Sequence, residues 1–178
     1  MTAFFFLLAC HSSPSSSDTG SLDPTTWGLS EPGPFQVGFV TWDHSYEVPV
    51  GSSPRTIPIG LWYPTTVEVG ESAYYLQGLL EDPSTFAEAP AASPVYANGY
   101  PVHIYSHGDY SWGAASVSMM RHFASHGWLA VAPDHTDNTL VKTIEPRPTS
   151  HYIHRPLDIR AALDALESME HPVLHESN

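Results

Sequence analysis

The pattern of hydrophobic and polar residues is weaker in the first half of the chain than in the second. Residues 35–42 and 56–63 are rich in β-branched and aromatic side chains, and a Pro-, Gly- and Ser-rich stretch separates them. Two such runs with a turn region between them predict a pair of antiparallel strands. Residues 65–99 follow with little periodicity. They are predicted to form an irregular insertion with one short helix at residues 72–80.

A regular alternation of apolar runs and amphipathic segments begins at residue 101. Residues 102–105 and 128–132 are short, almost continuously apolar runs, which are typical of strands buried on both faces. Residues 113–125 and 154–169 carry apolar side chains at helical spacing. This order predicts an α/β fold with a mostly parallel sheet, an antiparallel N-terminal strand pair and flanking helices.

The second predicted helix also carries expectations for individual residues. Pro156 suits the first turn of a helix, and the carboxylate of Asp158 complements the positive end of the helix dipole. Arg155 and Asp158 are therefore interpreted as structural residues at the helix start. The apolar face of this helix is expected to consist of Ile159, Ala162, Leu163 and Leu166.

The N-terminal residues have the composition of an anchor and a spacer. Residues 4–9 are apolar and lead to Cys10, and the Leu-Leu-Ala-Cys sequence resembles a bacterial lipobox, in which the cysteine is lipidated. Residues 1–10 are thus predicted to be a lipoprotein signal segment, although no Lys or Arg precedes the apolar run. Residues 11–34 are rich in Ser, Pro and Thr and are predicted to be a disordered tether. The alternative for Cys10 is a spare thiol in a disordered N-terminus.

Charge and cysteine content limit the classes of partner. The chain has 6 Lys and Arg against 19 Asp and Glu, a formal net charge of −13. This excess of acid disfavours nucleic acid as a partner. A single cysteine excludes an internal disulfide, and no run reaches the roughly 18 apolar residues of a membrane span. The chain is therefore expected to associate with a membrane through the lipid at Cys10. Its expected location is the periplasmic or outer side of a bacterial cell envelope.

Residues 101–139 contain the most informative candidate chemistry. A predicted buried strand ends at His107 and Gly108, and glycine allows the backbone to approach a ligand closely. Ligands of open α/β sheets bind beyond the carboxyl ends of the strands, so residues 107–110 are expected at a binding edge. Asp134 and His135 lie at the end of the next predicted strand and are candidates for lining a pocket.

These segments resemble the α/β-hydrolases grouped with bacterial dienelactone-hydrolase-like proteins and platelet-activating-factor acetylhydrolases. The resemblance covers roughly residues 35–169 without residues 65–99, and residues 35–178 are identified as the N-terminal part of such a domain. Five short motifs occur in the order of the family. They are Trp-Tyr-Pro at 62–64, Ser-His-Gly at 106–108, Ala-Ser-His-Gly at 124–127, Pro-Asp-His at 133–135 and Arg-Pro-Leu-Asp-Ile at 155–159.

The resemblance implies a serine-dependent carboxylic ester hydrolase that acts on a small-molecule or lipid ester without a cofactor. Such enzymes take one oxyanion-hole N–H from the loop after this strand. The implied donor is the backbone N–H of Asp109, with Gly108 shaping the turn and His107 preceding it. A carboxylate at this position departs from the small or apolar residue often found there, and it would oppose an oxyanion unless it turned away. The alternative is that residues 108–109 form a simple turn.

The nucleophile of this family is not found in the sequence. None of the 12 glycines begins the G-x-S-x-G pattern of the nucleophile elbow. In the order of the family, the serine, acid and histidine would all follow the helix at residues 154–169. The expectation is therefore a fragment whose triad follows residue 178 and which has no esterase activity alone. The alternative is a noncatalytic surface lipoprotein or binding module built on a truncated hydrolase fold.

Eleven histidines raise the question of a metal site. His122 and His126 are spaced i, i+4 on a predicted helix, which could present two ligands on one face. Neither an H-E-x-x-H motif nor a cysteine pair accompanies them. No metal site is predicted, and a small metal-binding protein is the third alternative.

Overall fold

The computed structural model of the chain describes residues 22–168. The predicted signal segment with Cys10, most of the predicted tether and the segment after residue 168 lie outside these residues. The described strands are β1 Gln36–Tyr46, β2 Arg55–Thr65, β3 Ser72–Tyr75, β4 Leu80–Ala87, β5 Val102–Ile104 and β6 Leu129–Pro133. The α-helices are α1 Val117–Ser125, which a 3-10 turn at Gly113–Ser116 precedes, and α2 His151–Glu167.

One mixed sheet contains all six strands in the order β3-β4-β1-β2-β6-β5. Strands β5 and β6 are parallel, and α1 lies between them in the chain. Strand β6 pairs antiparallel with β2, so β2 starts at the edge of the sheet where β5 and β6 end. The predicted α/β class with flanking helices is confirmed, and the described sheet is mixed because the antiparallel pairs β1–β2, β2–β6 and β3–β4 accompany the parallel ones.

The predicted antiparallel pair is confirmed as β1 and β2. Their register runs from Gln36 opposite Thr65 to Tyr46 opposite Arg55, so each strand is longer than the apolar run that predicted it. The extension has a consequence for the site. Tyr46 and Arg55 are paired at the end of this ladder that lies beside the end of β6.

The segment at residues 65–99 is more regular than predicted. In place of a helix at residues 72–80, β3 and β4 form an antiparallel hairpin that joins the sheet beside β1. Ala73 and Tyr75 are buried while their neighbours are not, which is the two-residue period of a strand. Leu76, Gln77 and Gly78 have positive φ angles of 50°, 57° and 87° and turn the chain between the strands. Since the run is only four residues long, its period could not be recognised in the sequence.

The two helices cover opposite faces of the sheet. Alternate side chains of β2 point to opposite sides, so Ile59 and Leu61 pack in the cluster that contains α2, and Trp62 packs in the cluster that contains α1. Met120 and Ala124 of α1 are fully buried against this second face. The central strands are thus buried on both sides, as their near-continuous apolar sequence predicts.

Helix α2 differs from its predicted form at its beginning. It starts at His151, so Pro156 is its sixth residue and not part of its first turn. Ala162 and Leu166 are buried as expected, whereas Ile159 is only half-buried. The buried side chains of the first half are polar, namely His151, His154 and Asp158. Within residues 22–168, no helix combines the length and the hydropathy required to cross a membrane.

Candidate active site

Polar residues from five chain segments meet at the edge where β5 and β6 end. Ser106 Oγ lies 2.8 Å from Nε2 of His135, and Nδ1 of His135 lies 2.9 Å from Oδ2 of Asp158. Asp158 also accepts two hydrogen bonds from Arg55, at 2.7 and 2.9 Å, and one from the Tyr46 hydroxyl at 2.5 Å. These five residues are called the Ser106 relay below.

The fold explains why these residues are neighbours. Ser106 follows β5 and His135 follows β6, and the ends of parallel neighbouring strands lie at one edge of a sheet. Arg55 begins β2 at the same edge, with Tyr46 opposite it in the β1–β2 register. Helix α2 carries Asp158 over this edge, where its side chain is fully buried.

Electrostatics fix the protonation of the relay. Burial alone would raise the pKa of Asp158, but hydrogen bonds from Arg55, His135 and Tyr46 outweigh burial and hold that pKa below its ordinary value. The ionised carboxylate only accepts hydrogen bonds, so the Nδ1 atom of His135 carries a proton. Burial lowers the pKa of His135 in spite of its bond to Asp158, which keeps the imidazole neutral near pH 7. Its Nε2 atom is therefore free to accept the Ser106 hydroxyl proton.

Arg155 brings a positive charge to the same hydroxyl. Its Nη2 atom lies 3.3 Å from Ser106 Oγ and also donates to the carbonyl oxygen of His107. No carboxylate of the described residues lies within ion-pair distance of this guanidinium. The Ser106 hydroxyl thus donates its proton to a neutral imidazole, and its oxygen accepts a hydrogen bond from a cation. Arg155 lies in the second turn of α2, so it does not cap the helix start as the sequence suggested.

His107 connects the two loops of the site. It is fully buried, its Nδ1–H donates to the Gly108 carbonyl at 2.7 Å, and its Nε2 accepts from the His135 backbone N–H at 2.9 Å. Burial lowers its pKa from 6.5 to about 4, so the ring is neutral at pH 7. With both nitrogens engaged by backbone groups, His107 holds the loop after β5 against the loop after β6.

Gly108 and Asp109 form the part of this loop that faces open space. A Cβ atom on Gly108 would meet no atom within 4 Å. The Asp109 carboxylate pairs with Arg147, so its negative charge is compensated by a neighbouring cation. No described residue accepts a hydrogen bond from the Asp109 backbone N–H. The oxyanion role that the resemblance implies for this N–H stays a prediction.

A cavity of about 460 Å³ opens at this edge. Its size is within the range of small-molecule sites in proteins. Ser106 contributes its hydroxyl to the wall, while His135 and Asp158 are fully buried behind it. The lining consists of Ser106, Asp109, Asn138, Arg147, His151, Tyr152, Arg155, Pro156 and Ile159.

A second cavity, of about 410 Å³, lies on the other face of the sheet. Aromatic side chains such as Trp62, Tyr74 and Trp112 line it, together with Asp43 and Asp134. No histidine of the described residues lines this second cavity, so it does not pair a nucleophile with an imidazole base. The first cavity is the better candidate for chemistry.

The two helical histidines make contacts of an ordinary structural kind. The rings of His122 and His126 are 4.5 Å apart, and Nδ1 of His126 lies 2.8 Å from the carbonyl oxygen of His122. The Nε2 atom of His126 lies 3.3 Å from the carbonyl oxygen of Gly28. In the part of the chain from residue 22 to residue 168, no group of three or more His, Cys, Asp or Glu side chains is arranged to hold a metal ion.

Part of the relay could have been found from the sequence. Ser106 and His135 each stand just after a predicted buried strand, and adjacent parallel strands end at one edge. Asp158 could not be placed there, because the predicted helix began three residues late and assigned this carboxylate to the helix terminus. Arg55 and Tyr46 fall outside the predicted strands and carried no sequence signal.

No family model matches the chain, and no curated protein matches it. A ferulic acid esterase from Streptomyces cinnamoneus, a solved structure, aligns with a TM-score of 0.48 and 19% sequence identity. The alignment covers 62% of this chain and 37% of the esterase, so the chain spans well under half the length of that protein. The roles of the site residues therefore follow from the geometry of this chain.

The low pKa of His107 predicts that stability falls in mild acid. The folded state favours the neutral ring, so its contribution is complete above pH 6.5 and is lost as the pH falls from 6.5 to about 4. His135 acts in the same direction, and Asp134, whose pKa burial raises, acts against it. We expect the melting temperature to drop between pH 7 and pH 4.5 and the drop to be smaller in His107→Asn, as measured by circular dichroism. An equal drop in both proteins would contradict the assignment.

Proposed function

We propose that the chain is a carboxylic ester hydrolase that works at the 460 Å³ cavity. One observation carries the proposal: Ser106 and Arg155 line the cavity, and the Arg155 guanidinium lies beside a hydroxyl that is hydrogen-bonded to a neutral imidazole. In this proposal the backbone N–H of Asp109, another residue of the cavity lining, is the second donor. Ester hydrolysis passes through a tetrahedral intermediate whose carbonyl oxygen becomes negative. Preorganised donors in a partly buried site stabilise that charge more than they stabilise the neutral ester.

The charge of the cavity wall fits this chemistry. The whole chain is strongly acidic, yet two of its six Lys and Arg residues, Arg147 and Arg155, line the cavity. Arg147 compensates the Asp109 carboxylate, which leaves Arg155 without a carboxylate partner in the described residues. A site built in this way attracts a developing oxyanion. The substrate class that the motifs favour is a small-molecule or lipid ester, of the kind hydrolysed by esterases, lipases and acetylhydrolases.

The proposal is tested by ester turnover with the purified 178-residue chain. We expect saturable hydrolysis of p-nitrophenyl acetate or butyrate, and a decrease in kcat of about 10²-fold or more in Arg155→Gln, the usual effect of losing one oxyanion donor. Arg160→Gln is the matched control, because Arg160 is on the same helix but its side chain is 80% exposed. Absence of turnover would support the sequence-based expectation of an inactive chain, and binding of esters without turnover would favour a binding module.

We further infer an envelope location from the Leu-Leu-Ala-Cys sequence, with the lipid attached at Cys10. Expression in a bacterial host should give a protein that fractionates with membranes and carries the mass of a lipid modification. Cys10→Ser should abolish both properties, whereas Ser12→Ala should retain them. If the serine variant kept the mass and the membrane fractionation of the original protein, the anchor would be wrong.

A further inference from the structure

The Ser106 relay has a property that the proposed function alone does not require. A hydrogen bond of 2.8 Å joins its hydroxyl to its imidazole, and one of 2.9 Å joins the imidazole to its carboxylate. We propose that Ser106 is a nucleophile, which attacks an ester in the cavity and forms an acyl-enzyme. This inference rests on the proposed hydrolysis at the same cavity, and it places the attacking group inside the chain, where the sequence analysis expected it to follow residue 178.

The distances satisfy the requirements of nucleophilic catalysis. A serine becomes a nucleophile when a base lies within about 2.6–3.2 Å and a third group orients the base. His135 is that base, and Asp158 orients it by accepting the Nδ1–H. The three residues occur in the order Ser, His, Asp along the chain, without a nucleophile elbow. Such constellations are defined by geometry and roles, and their order differs among unrelated folds.

The surroundings of the hydroxyl assist the loss of its proton. Arg155 Nη2 lies 3.3 Å from Ser106 Oγ, so a positive charge stabilises the alkoxide that forms during attack. Arg55 and Tyr46 keep the Asp158 carboxylate fixed and ionised through three hydrogen bonds. That carboxylate stabilises the imidazolium when His135 takes the proton. Charge therefore develops next to a compensating partner at each end of the relay.

Exposure is divided between the members in the manner that catalysis requires. Ser106 is exposed and lines the cavity, whereas His135 and Asp158 are fully buried. Substrate can reach the hydroxyl from the cavity side, and water is kept from the base on the other side. A relay with a purely structural purpose has no need to expose its serine to a cavity.

The proposed steps balance without any co-reactant except water. Ser106 Oγ bonds to the carbonyl carbon while its proton moves to His135 Nε2. The tetrahedral intermediate collapses, the carbon–oxygen bond to the alcohol breaks, and His135 returns the proton to the leaving oxygen. Water then attacks the acyl-enzyme, gives a proton to His135, and displaces Ser106, which regains its proton as the carboxylic acid leaves.

The test is covalent labelling of the full chain with a serine-directed fluorophosphonate, followed by peptide mass mapping and ester assays on the same samples. We expect one adduct, on the peptide that contains Ser106, and no adduct after unfolding in urea. Ser106→Ala should lose the adduct and at least about 10²-fold of ester turnover, the minimum expected when the base has no partner to activate. Ser111→Ala should keep both, since Ser111 does not line the cavity.

The outcomes separate this inference from the proposed function. Turnover that persists in Ser106→Ala, with no label on Ser106 in the original chain, overturns the inference and leaves ester hydrolysis in place. A label on Ser106 without ester turnover supports the nucleophile and contradicts ester hydrolysis. Neither label nor turnover in a chain that circular dichroism shows to be folded overturns both. Because labelling and its loss in urea are measured on the unaltered chain, the result does not depend on whether Ser106→Ala folds.

Discussion

Replacing Asp158 by alanine is expected to lower the free energy of unfolding by about 3–5 kcal/mol, the usual cost of leaving one member of a buried ion pair without its partner. The carboxylate is fully buried and holds Arg55, which is itself 8% exposed, through two hydrogen bonds. Its removal also leaves the Tyr46 hydroxyl and the His135 Nδ1–H without their acceptor. Unmet donors in the interior add to the cost of the unpaired guanidinium. Denaturation in urea, followed by circular dichroism, measures the change.

The same helix provides the control. Asp164 is 63% exposed and pairs with Arg160 at 3.8 Å across one helical turn, so Asp164→Ala should change the free energy by no more than about 0.5 kcal/mol. Arg55→Ala combined with Asp158→Ala should cost less than the sum of the two single substitutions, because the pair is lost only once. If Asp158→Ala and Asp164→Ala unfolded at the same urea concentration, the buried pair would not stabilise the fold.

Replacing Asp109 by proline is expected to lower kcat for ester hydrolysis by about 10²–10³-fold, the effect of removing one oxyanion donor. Proline has no backbone N–H, so the proposed donor disappears. Asp109→Ala keeps the N–H and loses only the pair with Arg147, whose side chain is 42% exposed. Exposed pairs contribute little, so the alanine variant should retain most activity. Steady-state assays with p-nitrophenyl acetate distinguish the two variants.

Two further measurements are controls for this comparison. Arg147→Ala removes the same ion pair but leaves the Asp109 carboxylate uncompensated, so it should lower kcat more than Asp109→Ala does. Thermal unfolding reports whether proline distorts the turn at residues 109–110, where Tyr110 has a positive φ of 54°. An alanine variant as inactive as the proline variant would assign the activity to the Asp109 carboxylate, and the backbone donor would be wrong.

The sequence predicted the elements whose periodicity extends over many residues. The apolar runs of β2 and β6 and the helical spacing of α1 are such patterns, and each was predicted within a few residues. The hairpin of β3 and β4 was missed, because its decisive signal is the alternation of Ala73 and Tyr75 with their neighbours over only four positions. A local rule cannot distinguish so short a run from a helical turn.

Only the site residues that directly follow strands could be predicted from the sequence. Loop residues Ser106 and His135 follow predicted strands, and His107, Gly108 and Asp109 were placed at the correct edge. The position of Asp158 in the site depends on the rotation of α2 about its own axis. In most helices the apolar residues indicate this rotation. The first half of this helix instead turns His154 and Asp158 inward, where His154 contacts the Val50 carbonyl and Asp158 contacts His135. Polar burial of this kind is determined by tertiary partners and leaves no periodic signal.

The separation of the relay members along the chain has a consequence for biosynthesis. Arg55 and Asp158 are 103 positions apart, and Tyr46 and Asp158 are 112 positions apart. Contacts of such long range close only after the intervening segments are ordered, and a chain emerges from the ribosome with its N-terminal residues first. A nascent chain therefore presents Ser106 and His135 before the carboxylate that orients the imidazole has been synthesised. In the proposed mechanism the Ser106 hydroxyl is activated only after α2 has docked and Asp158 contacts His135.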